Sequence, residues 1–179
     1  MTARHAFLAG FLTCVGLMGT GLYLQYVEGQ EPCPLCILQR IAYISMMAVF
    51  LVGAIHNPRS VGIRIYGGLA LLAGLAGTGV AVRHVWLQHL PAAEVPACGP
   101  GFAYMMKKFP LYDVLSKVLA GSGECAKVDW TFLSLSIAEW SLVWFVLLSA
   151  FCVFIILQRP AVGRAKARFS YSADTTPAR

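Results

Sequence analysis

Charge is what this sequence has least of. Only 12% of its 179 residues are Asp, Glu, Lys or Arg, where a soluble domain carries about 25%. That is too little to cover a water-facing surface, and it excludes an ordinary soluble globule and a disordered chain. Acidic residues are the scarcer kind: eight against fourteen Lys and Arg, for a net charge of +6. No basic stretch is interleaved with aromatics on a polar segment, so nucleic acid is excluded as a partner. Internal repeats and low-complexity tracts are missing as well. What fills the chain is apolar, with 58% hydrophobic residues and a mean hydropathy of +0.68. The solvent for most of it is a lipid bilayer.

A transmembrane helix needs about 20 predominantly apolar residues. Four runs qualify: 6–27, free of Asp, Glu, Lys and Arg; 37–55, which includes Gln39 and Arg40; 65–82, uncharged between Arg64 and Arg83; and 140–157, closed by Gln158-Arg159-Pro160. The first run is too long for a signal-peptide core and lacks a small-residue cleavage site, so it reads as a retained helix. Ala70/Gly74 and Ala73/Gly77 in the third run, and Gly16/Thr20 in the first, have the four-residue spacing of small residues that lets membrane helices approach. The expected fold is all-α: one membrane domain over 1–179, built as a four-transmembrane-helix bundle.

Four spans put both termini on one side, and the basic residues say which. Arg4, Arg59, Arg64, Arg159, Arg164, Lys166, Arg168 and Arg179 lie on the terminal side, with Asp174 as its one acidic residue. By the positive-inside rule that side is cytoplasmic. The 56–64 loop and the 158–179 tail then face the cytoplasm, and the loops at about 28–36 and 83–139 face outward. In the longer outer loop, Leu111, Val114, Leu115, Val118 and Leu119 follow the stripe of an amphipathic helix between Pro110 and Gly121. A helix that short, beside lipid, is expected to lie at the interface.

The six cysteines divide along the same boundary. Cys14 and Cys152 lie inside apolar runs and read as small packing residues. Cys33, Cys36, Cys98 and Cys125 all fall in the outward segments, where an oxidising compartment lets thiols form and exchange disulfides. Cys33-Pro34-Leu35-Cys36 is a Cys-x-x-Cys at the start of the second span. The positive end of a helix favours a thiolate there, and Arg40 follows Cys36 by one turn on the same face. An arginine near the edge of a span also fits a snorkelling residue, but below a thiolate it can stabilise negative charge on sulfur or on an acceptor. Cys98 and Cys125 stand 27 residues apart, beside Gly99-Pro100 and Gly121-Ser122-Gly123. A flexible, exposed pair of this kind suits exchange, although a loop staple has the same spacing. A zinc ribbon needs two Cys-x-x-Cys knuckles, and one is present, so no metal is expected. His84, at the outer end of the third span beside Arg83, reads by itself as an interfacial or hydrogen-bonded histidine.

Taken together these residues resemble the DsbB family of quinone-linked, disulfide-forming membrane proteins. The resemblance runs from about residue 7 to 157. It rests on Pro32-Cys33-Pro34-Leu35-Cys36-Ile37-Leu38-Gln39-Arg40, on Ala97-Cys98, and on Ser122-Gly123-Glu124-Cys125-Ala126 followed by Trp130-Thr131-Phe132-Leu133. It implies a four-helix bundle in the bacterial inner membrane that reoxidises a periplasmic thioredoxin-like oxidase of the DsbA type. It further implies that Cys98 forms the mixed disulfide with that partner, that Cys125 pairs with Cys98 and relays toward Cys33, and that Cys36 faces a membrane quinone, ubiquinone or menaquinone, as a thiolate. Arg40 would support the quinone and that thiolate, and His84 would line the quinone site.

Two other readings remain. A vitamin K epoxide reductase type of oxidoreductase also couples loop cysteines to quinone, but its membrane Cys-x-x-Cys comes late in the chain and this one comes early. A structural tetraspan protein, whose disulfides only brace its loops, is the non-enzymatic alternative.

Overall fold

A computed structural model describes residues 3–91, 93–96, 104, 107–128 and 130–157. Four long helices dominate it: α1 (Ala3–Tyr26), α2 (Pro34–His56), α3 (Ser60–Gln88) and, last in the chain, α6 (Ile137–Leu157). Between α3 and α6 lie α4 (Leu111–Ala120), the single turn α5 (Gly123–Ala126) and a two-stranded antiparallel hairpin, β1 (Thr131–Phe132) and β2 (Leu135–Ser136). All four long helices are long and apolar enough to cross a membrane, and the protein is a multi-pass, all-α membrane protein.

The burial pattern is that of a bundle in lipid. Leu12, Ile55, Val61 and Leu72 point outward, and the packed interior is lined with small and aromatic residues. α1 and α2 interlock reciprocally: Gly10 lies against the Phe50 ring, and Gly53 against the Phe7 ring. On α3 the packed stripe is Ile63, Gly67, Ala70, Gly74, Gly77, Ala81 and His84, an alternation of three and four residues that keeps one face inward. Gly67 meets Ile156, Gly74 meets Ser149, and Gly77 meets the Phe145 ring, which stacks on Tyr43 at 4.1 Å. The third-run seam is therefore real. The one expected at Gly16/Thr20 is not, because nothing lies within 4 Å of a Cβ built on Gly16, and the Thr20 hydroxyl donates back to the Gly16 carbonyl.

This packing gives a direct test. A methyl group on Gly77 would stand 2.3 Å from the Phe145 ring. Gly77→Ala is expected to lower stability by about 1–3 kcal/mol, the usual cost of overpacking, whereas Gly16→Ala should leave it within about 0.5 kcal/mol. Unfolding midpoints of the purified variants check this, and equal midpoints would contradict the seam.

The order of packing is α1 on α2, α2 on α3, and α3 on α6, while α1 and α6 barely meet. A cleft is left between those two helices, backed by α2. The hairpin overhangs it. Leu133 and Ser134 both have positive φ, 52° and 66°, the arrangement that a two-residue hairpin turn with the right twist requires. The Trp140 indole N–H donates to the Phe132 carbonyl at 3.0 Å and ties the hairpin to α6. That helix opens on a reciprocal cap, in which the Ser136 hydroxyl accepts from the Glu139 N–H and the Glu139 carboxylate accepts from the Ser136 N–H. The same hydroxyl donates to Gln88 at 2.8 Å, joining the ends of α3 and α6. No strand was expected in the outer loop. Its two-residue strands are too short to show an alternating pattern.

The amphipathic helix of the outer loop is α4, and its apolar stripe divides. Val114 and Val118 are buried in a cluster with Leu35, Leu87, Cys33 and Cys125, while Leu115 and Leu119 stay exposed. Gly121 ends the helix at φ 85°, where a side chain would strike Leu87. Arg83 of α3 donates to the Leu119 and Ala120 carbonyls at 3.2 and 2.9 Å, a cationic cap on the helix C-terminus. The outer loop is thus fastened over the end of α2.

Candidate active site

The start of α2 is shaped by its own sequence. Cys33 is the N-cap, in extended conformation, and Pro34 follows at the first helical position, where its missing N–H costs nothing. The Cys36 backbone N–H donates to the Cys33 sulfur at 3.3 Å, and the Cys33 thiol donates to the Cys36 sulfur at 3.0 Å. Both sulfurs therefore lie in the field of a helix N-terminus, as free thiols.

Cys125 is brought to them from the outer loop. It is fully buried and in hydrogen-bonding contact with the Cys33 thiol. The Cys125 contact lowers the Cys33 pKa, but the Cys36 hydrogen bond, burial and the charge of Cys36 outweigh it, so the thiol is pushed up to about 12. Cys125 is raised by its hydrogen bond to the Cys33 sulfur and then by burial. Both therefore stay protonated at neutral pH. Cys98 lies outside the described residues, so its expected pairing with Cys125 belongs to the resemblance alone.

His84 reaches the same cluster from the end of the α3 stripe. Its Nε2 lies 3.7 Å from the Cys33 sulfur, and its Nδ1 lies 3.2 Å from the side-chain amide of Gln39. Both residues are buried. Arg40 turns toward α1, where it donates to the Gln25 side-chain oxygen at 2.5 Å and to the Gly21 carbonyl at 3.2 Å. Two of its five N–H groups thereby brace α1 against α2. Gln39 and Gln25 were not singled out from the sequence. The available signal was polarity inside otherwise apolar runs, which in a membrane helix marks function by default.

Cys33, Cys36, Arg40 and His84 all border one cavity of about 450 Å³, within the usual range for small-molecule sites. It fills the cleft between α1 and α6. Leu17, Met18 and Leu24 form one wall, Trp140 and Trp144 the other, and Phe132 of the hairpin also lines it. An apolar slot flanked by indoles, with a guanidinium and a thiol at its back, suits a flat, apolar, ring-shaped ligand with oxygen acceptors. The same corner offers three donor atoms to a metal, from Cys33, Cys36 and His84.

The comparisons with known proteins point the same way. The family model described as "Disulfide bond formation protein DsbB" matches residues 3–155. Disulfide bond formation protein B of Methylococcus capsulatus is 53% identical over 150 residues, which cover 84% of this chain and 92% of that protein. The protein of the same description from Hahella chejuensis is 49% identical over 160 residues, covering 89% and 97%. That of Chromohalobacter salexigens is 54% identical over 149 residues, covering 83% and 87%.

Proposed function

The chain belongs to the DsbB family of disulfide bond formation proteins, and from that membership and the sulfur geometry we propose that it is a protein-dithiol:quinone oxidoreductase. It reoxidises a periplasmic thioredoxin-like dithiol of the DsbA type and so sustains disulfide formation outside the cytoplasm. In this reading the chain is one inner-membrane domain with both termini in the cytoplasm and its active cysteines in the periplasm. One observation carries the reading: Cys125 touches Cys33, and the Cys36 thiol beside it lines an apolar cavity together with Arg40.

The electron path balances as two exchanges. A partner dithiol attacks a Cys98–Cys125 disulfide, leaving as a disulfide itself and the loop pair as two thiols. Those thiols reduce a Cys33–Cys36 disulfide, restoring their own bond. The pair at α2 then holds two electrons and two protons. A quinone bound in the cavity supplies the sink for both. Cys36 is the exit sulfur: both sulfurs border the cavity, but Cys33 is the one engaged with Cys125, which leaves Cys36 to the acceptor. Arg40 orients an acceptor oxygen with the N–H groups that α1 leaves free. His84 and Gln39 fix the position of the Cys33 sulfur. The apolar walls limit the access of water to the Cys36 sulfur.

The whole activity is tested by reconstitution. Protein in vesicles containing ubiquinone or menaquinone is expected to reoxidise many equivalents of a reduced thioredoxin-fold partner, and none without quinone. A structural tetraspan with bracing disulfides gives no turnover in either case. Arg40→Ala should raise the KM for quinone by about 10- to 100-fold, the usual cost of losing a hydrogen bond from a charged group. An unchanged KM would remove Arg40 from the site.

A further inference from the structure

The Cys-x-x-Cys does not stand alone. Donor atoms of Cys33, Cys36 and His84, one from each, lie within 4.8 Å of one another, His84 Nε2 standing 3.7 Å from Cys33 Sγ, and all three residues border the cavity. The sequence argued against a zinc ribbon because a second knuckle is missing. In the folded chain, α3 supplies the third donor that the sequence could not locate. We propose that the reduced protein binds a thiophilic divalent cation, zinc being the type, through Cys33, Cys36 and His84, and that the bound ion holds this dithiol out of disulfide exchange. The second half of the proposal rests on the exchange role argued above. The binding itself does not.

The geometry is close to what such an ion needs. Zn–S bonds of about 2.3 Å and a Zn–N bond of about 2.0–2.1 Å in a tetrahedron set S···N at about 3.6 Å and S···S at about 3.8 Å. The Cys33–His84 separation is 3.7 Å. The two sulfurs, at 3.0 Å, must part by about 0.8 Å, a small rotation of one thiol. Around the ligands the usual supports are in place. The Cys36 N–H already donates to the Cys33 sulfur. The Gln39 amide nitrogen lies 3.2 Å from His84 Nδ1; on metal binding this amide turns over, so that its oxygen accepts the Nδ1–H and the Nε2 lone pair is left to the ion.

Charge favours the site too. Two thiolates and a neutral imidazole balance a divalent cation, so the buried centre carries no net charge. Binding releases two thiol protons and moves no electrons. The fourth position faces the cavity and takes a water. Cys125, outside the group of three donors, is not a ligand. A Cys33–Cys36 disulfide offers no thiolate, so the ion selects the reduced state. While it is bound, neither sulfur is free to receive electrons from Cys125 or to pass them on.

Cobalt(II) is the probe, since tetrahedral thiolate ligation gives it intense visible bands. Full-length protein in nanodiscs is reduced anaerobically, freed of reductant and titrated with Co²⁺ and then with Zn²⁺. One equivalent of cobalt is expected, with thiolate charge-transfer bands that zinc abolishes, and affinity at least about 100-fold weaker after oxidation. Cys33→Ser should remove the bands. His84→Gln, which keeps the packed volume, should weaken binding at least about tenfold, and a Cys98→Ala/Cys125→Ala double variant should bind as the parent does. The proposal is overturned by equal affinity in both redox states, by bands that survive Cys33→Ser, or by loss of binding in the double variant. The titration reads no turnover, so its failure is separable from failure of the oxidoreductase reading. If binding is present but saturating zinc leaves partner reoxidation unchanged, the inhibitory half falls.

Discussion

Cys36→Ser is expected to stop electron delivery to quinone almost completely, by about a thousandfold or more in kcat/KM, as removal of a reacting nucleophile does. Cys36 is the sulfur that borders both Cys33, at 3.0 Å, and the apolar cavity. A serine oxygen there cannot form the disulfide that receives electrons, and among the described residues no other thiol lines the cavity except Cys33. The substitution removes little packing, because Cys36 is only partly buried. The protein should therefore insert and unfold as the parent does. Quinone reduction by reconstituted Cys36→Ser protein, with a reduced thioredoxin-fold donor, is the measurement. Parental rates would take the exit role from Cys36.

Cys125→Ser should separate the two halves of the relay. Partner-driven turnover falls by about a thousandfold, because the buried Cys125 is the sulfur that meets Cys33 and without it no loop disulfide can form. Quinone reduction driven by a small dithiol should survive, since such a donor can reduce Cys33–Cys36 directly. A serine hydroxyl in the cluster of Leu35, Leu87, Val114 and Val118 also buries a polar group, so a loss of about 1–3 kcal/mol in stability is expected. An unfolding midpoint for the variant keeps that effect apart from the redox one. Equal loss with both donors would mean that Cys125 supports the α2 pair structurally, without relaying electrons. Equal rates with both would mean that the relay bypasses it.

Much of this was legible in the residues. Lipid selects for composition, so four apolar runs announced four helices, and charge scarcity excluded the soluble alternatives. The Ala70/Gly74 and Ala73/Gly77 spacing announced the seam of α3 with α6, because small residues must lie where backbones approach. Gly16/Thr20 has the same spacing and makes no seam. Spacing does not say which face a neighbouring helix occupies, and on α1 that face is set by Gly10 against Phe50.

The active site was readable only in part. Cys33, Cys36 and Arg40 are local in sequence, and the helix start fixes their mutual positions. His84 and Cys125 reach Cys33 only through tertiary packing, across 51 residues in the case of His84. The seven-residue step from Ile63 through Ala70 and Gly77 ends on His84, and that periodicity was the available sign that the histidine faces inward. The division of the α4 stripe had no such sign. Val114 and Val118 turn to the sulfur cluster while Leu115 and Leu119 do not, because Arg83 and Gly121 fix the angle at which the helix docks.

The order of thiol reduction tests the central claim most directly. Quinone-free protein in nanodiscs is oxidised, mixed with a reduced thioredoxin-fold partner, quenched in acid at successive times, alkylated and mapped by mass spectrometry. The account predicts that electrons pass through Cys98 and Cys125 to accumulate on Cys33 and Cys36, and that added quinone returns those two to a disulfide within one turnover. Cys33 and Cys36 that keep one redox state throughout, while the partner is oxidised and quinone reduced, would contradict it.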